Sequence, residues 1–181
     1  MLIDIYTHIF PGTFFEQMSK AAPRLENIGK RMQDVVPVHN LEERFRQMDT
    51  YGDYKQLISL PNPPLEDIMD AKTGTHLARI ANDAMAEECT KNPDRFVGFA
   101  AALCMLDMDS AMEELHRSIK DLGARGIQIF TNVAGEPLDK PEYQQLFDAM
   151  AKYAALLFVE CKAALDFVVL LQVDSQRARI C

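Results

Sequence analysis

Apolar positions along this chain fall into short continuous runs separated by stretches with a helical period. Leu2 to His8 reads as a buried strand that ends in polar side chains before a Pro11-Gly12 break. Strict alternation puts Asp4, Tyr6 and His8 on one face of that strand and Ile3, Ile5 and Thr7 on the other. Residues 13–22 follow as a short helix, with Thr13 as N-cap and Glu16 as its capping-box partner. Residues 23–39 show no clean period and read as an irregular loop above the end of the first strand. Asn40 caps a helix over residues 41–48, whose face is Leu41, Phe45 and Met48, and Gly52 closes it. A second strand over residues 54–60 is stopped by Pro61-Asn62-Pro63-Pro64, because proline cannot donate to a ladder.

The same alternation continues. The longest helix runs over about residues 74–91, with Leu77, Ile80, Ala81, Ala84, Met85 and Cys89 as its stripe and His76 on its solvated side. Residues 96–102 form a third strand, and Asp107 to Ser110 caps a helix reaching about Leu122, with His116 beside its charged face. Gly123-Ala124-Arg125-Gly126 turns the chain into a fourth strand over residues 127–130. A polar loop over residues 131–141 leads to a helix opened by Pro141, with Phe147 and Met150 inward, and residues 156–159 form a fifth strand. Continuous apolar strands alternating with helices describe an α/β fold with a parallel sheet covered on both faces. Such a sheet carries its site at the C-terminal strand ends. Here these ends are Tyr6 and His8, residues 60–64, residues 102–104, residues 130–132, and Glu160-Cys161.

With 181 residues, 48% of them hydrophobic, the chain is one ordinary domain with a real core. Its formal net charge of -8 argues against nucleic acid or anionic membrane as a partner, since phosphate would repel it. Cys89, Cys104, Cys161 and Cys181 are widely spaced, form no CxxC pair and read as reduced thiols. No basic-then-apolar leader is present, and no apolar run approaches the ~18 residues of a membrane span. A cytoplasmic location is the expectation. No glycine pattern for a phosphate cradle follows any strand.

The ordered set Ile3-Asp4-Ile5-Tyr6-Thr7-His8-Ile9-Phe10-Pro11, Ser59-Leu60-Pro61-Asn62-Pro63-Pro64, Asn92-Pro93-Asp94-Arg95-Phe96-Val97-Gly98-Phe99 and Gly123-Ala124-Arg125-Gly126-Ile127-Gln128-Ile129-Phe130-Thr131-Asn132 resembles the amidohydrolase-related family that includes aminocarboxymuconate semialdehyde decarboxylase and the resorcylate decarboxylases. The likeness covers residues 2–153. It implies a (β/α)8 TIM-type barrel, present here as about five βα units. It also implies hydrolysis or decarboxylation of a small carboxylic acid, with a divalent metal, zinc ahead of manganese, at the C-terminal mouth.

The family's His-x-His motif at the first strand implies two metal ligands, and this chain has Tyr6 in the first position and His8 in the second. Residues i and i+2 of one strand face can aim two donors at one ion, but a phenol keeps its proton up to about pH 10 and ligates poorly. Alignment through Tyr153 places Glu160 where the family has a further His. The implied metal set is therefore His8, Tyr6 and Glu160, with Asn62, Thr131 and Asn132 as substrate contacts. An alternative is that His8 and Glu160 are ordinary strand-end polar residues.

The strands that bring the family's remaining His and Asp do not follow in this sequence. Residues 1–153 thus read as an incomplete barrel domain and residues 154–181 as a fifth strand with a divergent tail. The tail is apolar over residues 163–173 and too close to the fifth strand for a parallel crossover, so it reads as an extra helix or an antiparallel strand. A truncated or frame-shifted coding sequence is one account of it. An open half-barrel leaves apolar edges, which predicts self-association. Two functions follow: a metal-dependent hydrolase or carbon-carbon lyase whose site is impaired by truncation and the missing His, or a non-catalytic binding or oligomerisation module on the same scaffold.

Overall fold

A computed structural model describes residues 1–21 and 34–160, together with the backbone of 168–172. Five parallel strands form one sheet in the order of the chain: β1 (Leu2–His8), β2 (Tyr54–Ser59), β3 (Phe96–Ala102), β4 (Gly126–Phe130) and β5 (Leu156–Glu160). A sixth strand, β6 (Val168–Gln172), pairs antiparallel with β5. The tail is thus an antiparallel strand rather than a helix over those five residues, and the remainder of the tail lies outside the described residues. The connections carry α1 (Gly12–Ala21), α2 (Leu41–Met48), α3 (Ala71–Lys91), α4 (Met108–Lys120) and α5 (Gln144–Tyr153).

The sheet is curled. Adjacent strands lie about 4.8 Å apart, so four steps across a flat sheet would separate β1 from β5 by about 19 Å. Yet Nε2 of His8 at the end of β1 lies 3.8 Å from Oε1 of Glu160 at the end of β5. Two side chains cannot bridge a flat sheet of that width, so the strand ends must converge as in half of a barrel.

The curl creates two cores. Outside it, helices pack Phe14, Leu77, Met85, Leu115, Leu146 and Met150 against Ile58, Phe99, Ile127, Ile129 and Leu157. Inside it, Leu57, Ala100 and Phe158 form a smaller cluster with Ile5, Val97 and Leu156 beside them.

Local chemistry explains most element boundaries. Asn40 caps α2 through its side-chain oxygen, which accepts from the Glu43 amide at 3.0 Å, and Gly52 closes the following turn at φ 72°. Pro141 opens a short 3-10 turn that feeds α5. The loop between β4 and α5 holds a small hairpin, Asn132–Val133 against Glu136–Pro137.

Three expectations are corrected. α1 begins at Gly12, with the Phe15 amide bonded to the Pro11 carbonyl, so Thr13 lies inside the helix and no Thr13–Glu16 box forms. α3 begins at Ala71, capped by Asp70 through the Thr73 amide at 2.8 Å, and Gly74 is interior to it. A Cβ on Gly74 would lie 2.5 Å from Sγ of Cys104, so the glycine serves close packing of α3 on the strand end. Asp4 and His8 do not share a face, because the β1–β2 register shifts between Asp4 and Thr7. Asp4 accepts from the Tyr54 hydroxyl, which Gln56 also contacts, whereas His8 reaches Ser59.

Candidate metal and substrate site

The C-terminal strand ends converge on a polar cluster. His8 sits at the end of β1 with Nδ1 2.9 Å from the hydroxyl oxygen of Ser59, the last residue of β2. That hydroxyl lies 3.3 Å from the Thr7 carbonyl, to which it donates, leaving its lone pair to accept from the imidazole. Nε2 of His8 is then turned toward Glu160, and ligating histidines are commonly held by such a bond at the other ring nitrogen. Beneath His8, the buried guanidinium of Arg44 donates to the His8 carbonyl, to the Pro37 carbonyl at 2.9 Å and to Gln56 at 2.6 Å. Burial pulls the Arg44 guanidinium down to about 10, with Tyr54 and Asp4 acting in the opposite direction.

Glu160 ends β5 at 3% exposure. Its Oε1 accepts from Nε2 of Gln128 on β4, and its Oε2 lies 3.4 Å from the amide nitrogen of Asn62. The same Gln128 nitrogen donates to the Leu60 carbonyl at 2.8 Å. One carboxamide from the middle of β4 therefore ties the ends of β2 and β5 together.

The expected site residues separate into two groups. His8, Glu160 and Asn62 are brought together. Thr131 adjoins them through its backbone, the Thr131 amide donating to the Glu160 carbonyl at 2.9 Å. Tyr6 packs its ring edge-on to His8, centroids 4.9 Å apart, and is 38% exposed. Asn132 is turned to its own hairpin, its side-chain oxygen accepting from the Gly135 amide at 2.9 Å. Ser59, Gln128 and Arg44 are the members that sequence reasoning missed. For one of them a signal existed: Gln128 is the single polar residue of the otherwise apolar β4.

The residues present fit a divalent ion in part. A 3.8 Å gap between an imidazole nitrogen and a carboxylate oxygen is short enough for both to lie about 2.0–2.2 Å from one ion. Among the described residues, no group of three His, Cys, Asp or Glu side chains gathers around a single point. His8 and Glu160 are thus two strong donors, with the phenol of Tyr6 beside them as the weaker third. Cys89 and Cys104 are free thiols, while Cys161 and Cys181 lie outside the described residues. No helix among the described residues is long and apolar enough to cross a membrane.

Known proteins carry the same half-barrel. Gamma-resorcylate decarboxylase from Rhizobium sp. (strain MTP-10005) is 45% identical over 85 residues, which are 47% of this chain and 26% of that one. The solved 2,6-dihydroxybenzoate decarboxylase in complex with 2,6-dihydroxybenzoate superposes with a TM-score of 0.72 at 28% identity, covering 91% of this chain and 52% of that chain. The dihydroxybenzoic acid decarboxylase of Polaromonas sp. JS666, solved with bound manganese and the inhibitor 2-nitroresorcinol, gives 0.71 at 25% identity over 91% and 50% of the two chains. This chain thus spans about half the length of the solved relatives. A family model described as amidohydrolase matches residues 3–166, from the first strand past the end of β5, and with the shared half-barrel it establishes that this chain belongs to the amidohydrolase family.

Proposed function

We propose that this chain carries a half-barrel of the kind found in metal-dependent decarboxylases and hydrolases, acting on a small, aromatic or enoic carboxylic acid. The observation that carries this reading is the convergence of His8 and Glu160 from opposite ends of a curled parallel sheet, in a family whose related members decarboxylate dihydroxybenzoates. His8 and Glu160 would hold the ion, with Tyr6 as the weaker third donor. Manganese is supported by the related structure that contains it, and zinc by the mixed nitrogen and oxygen donors. When bound, a divalent ion supplies a Lewis acid for the substrate carboxylate and lowers the pKa of a bound water.

The chain's own residues do the rest. Ser59 fixes the imidazole so that Nε2 faces the site, Gln128 and Asn62 orient the Glu160 carboxylate, and Arg44 anchors the His8 backbone. Asn62 lies on the loop above the strand ends, where its amide can also reach a substrate carboxylate. Thr131 and Asn132, which follow β4, would supply further contacts to the same ligand.

Calorimetric titration with manganese chloride and zinc chloride tests the metal reading. One ion per chain is expected, lost in both His8→Ala and Glu160→Gln; binding that survives both substitutions excludes this site. Release of carbon dioxide from 2,6-dihydroxybenzoate by the loaded protein tests the reaction.

A second reading is favoured by the β1 edge. Met1, Leu2, Ile3 and Tyr6 are half of the eight large hydrophobic residues exposed among the described residues, the last three on β1 and Met1 directly before it. β1 pairs only with β2 among those residues, which leaves an apolar parallel edge of the kind that recruits another strand. Self-association through this edge is the expected behaviour, whether or not the site turns over. Sedimentation of wild type against an Ile3→Lys, Tyr6→Lys variant checks it: dimers or larger species in the first and monomer in the second.

A further inference from the structure

Gln128 lies in the middle of β4 at 3% exposure, and its carboxamide is only half used. The nitrogen end faces the Leu60 carbonyl, which can only accept, and the Glu160 carboxylate, so the orientation of the amide is fixed. The oxygen end, Oε1, is buried and accepts no hydrogen bond among the described residues. Buried amide oxygens are normally paired, and an orphaned one is costly to keep.

Its location gives that cost a purpose. Ala102 is the β3 partner of Gln128, so the long side chain crosses over a methyl group to reach the end of β2. This places the amide against Glu160, directly beneath the proposed metal ligands. A second polar member of the same strand ends, Ser59, has both its donor and its acceptor occupied, which leaves the Gln128 oxygen as a spare acceptor at this point.

We infer that Gln128 is a specificity-determining residue whose carboxamide oxygen accepts a hydrogen bond from an O–H or N–H group carried by the ligand next to its carboxylate. The inference rests on the reading of His8 and Glu160 as a metal and carboxylate site. The 2,6-dihydroxybenzoate of the related decarboxylase bears such a donor beside its carboxyl group, and Gln128 is the residue of this chain assigned to read it. An acid of equal size without a donor leaves the buried oxygen unpaired and is disfavoured. Sites built around a buried hydrogen-bonding group discriminate strongly against analogues that lack the matching group.

The test is a calorimetric series on the full chain in excess manganese chloride, with benzoate, 2-fluorobenzoate, 2-aminobenzoate and 2-hydroxybenzoate. The 2-amino and 2-hydroxy acids are expected to bind about tenfold tighter than benzoate and its fluoro analogue, the worth of one buried hydrogen bond. In Gln128→Leu, which keeps the volume and removes the acceptor, that ratio falls to about twofold or less, whereas any advantage from chelation of the metal by a ring substituent persists. An unchanged ratio in a variant with a wild-type melt overturns the inference. Should Gln128→Leu fail to fold, wild type decides: equal affinity for 2-aminobenzoate and 2-fluorobenzoate overturns it, because these two differ in the donor and little in size. Manganese binding with no affinity for any of the four acids overturns both this inference and the carboxylate reading beneath it. Binding of all four alike spares that reading and removes only the role of Gln128.

Discussion

Glu114 and Glu160 are both carboxylates buried against the sheet, at 1% and 3% exposure, and their surroundings are opposite in kind. Glu114 on α4 lies on the helix side. It accepts from Nε of Arg117 at 2.8 Å, from Nη2 of the same residue at 2.9 Å and from Asn82 at 2.7 Å, and Nε of Arg79 lies 3.3 Å away. Its negative charge is met by two guanidinium groups, and the Arg117 guanidinium is raised above its ordinary range, first by its bonds to Glu114. Glu160, inside the curl, meets the amides of Gln128 and Asn62 and the imidazole of His8. A carboxylate already neutralised by arginine holds helices together. One oriented by amides and faced by an imidazole nitrogen has the surroundings that the proposed metal site requires.

Substitutions should break the two sites in different currencies. The largest expected loss of stability is in Asn82→Ala. Asn82 donates to the Ala102 carbonyl at 2.9 Å and accepts from the Ala102 amide at 2.8 Å, so it takes the place of a strand partner at the end of β3. Its removal leaves two buried backbone groups unpaired and should cost about 3 kcal/mol in urea denaturation. Glu114→Gln should cost about 2 kcal/mol, because the arginines it meets are partly exposed and regain solvent. Glu160→Gln, by contrast, should change stability by less than about 1 kcal/mol, since it removes a buried charge and its new amide can pair with Gln128. The same variant should lose manganese binding. A loss of stability as large as that of Glu114→Gln would mean that Glu160 is structural, and the comparison would collapse.

How much of this was legible in the sequence differs between the two regions for a physical reason. Short apolar-rich runs set between segments of helical period are a local signal, so β1 to β5 are legible directly. Caps are equally local, which is why Asn40 was found. Misreadings arose where a residue served a distant contact. Gly74 looks like a helix boundary but makes room for Cys104, and the alternation on β1 breaks at a bulge that no single strand reveals. His8 and Glu160 were named through family resemblance. Their proximity depends on the curl of the sheet, which brings together residues 152 positions apart. Gln128 is not legible as a site residue because one polar residue in an apolar run also fits an ordinary core position, and Ser59 because a serine at a strand end also fits an ordinary turn.

A different kind of effect, one of pH, concerns the two free thiols of the helix side, Cys89 partly buried and Cys104 buried. Burial pushes the Cys89 thiol up to about 12 and the Cys104 thiol up to about 11. Neighbouring acids add to it: Glu88 at Cys89, and Glu66, Asp70 and Asp107 at Cys104. Arg125 and the Leu106 amide act in the opposite sense without reversing the shift. In the unfolded chain a thiol ionises near pH 8.5. Between that pH and the raised folded values the unfolded state has lost protons that the folded state keeps, so stability falls as pH rises. The contribution is complete below about pH 8 and declines through about pH 9 to 11. Urea melts at intervals across this range should show a steeper decline for wild type than for a Cys89→Ala, Cys104→Ala variant, which removes both thiols while leaving every lysine and tyrosine in place. Equal slopes would show that these thiols ionise as easily in the fold as outside it, and that the helix side tolerates an unpartnered negative charge. In that event the arginines around Glu114 would no longer mark it as the structural carboxylate of the pair.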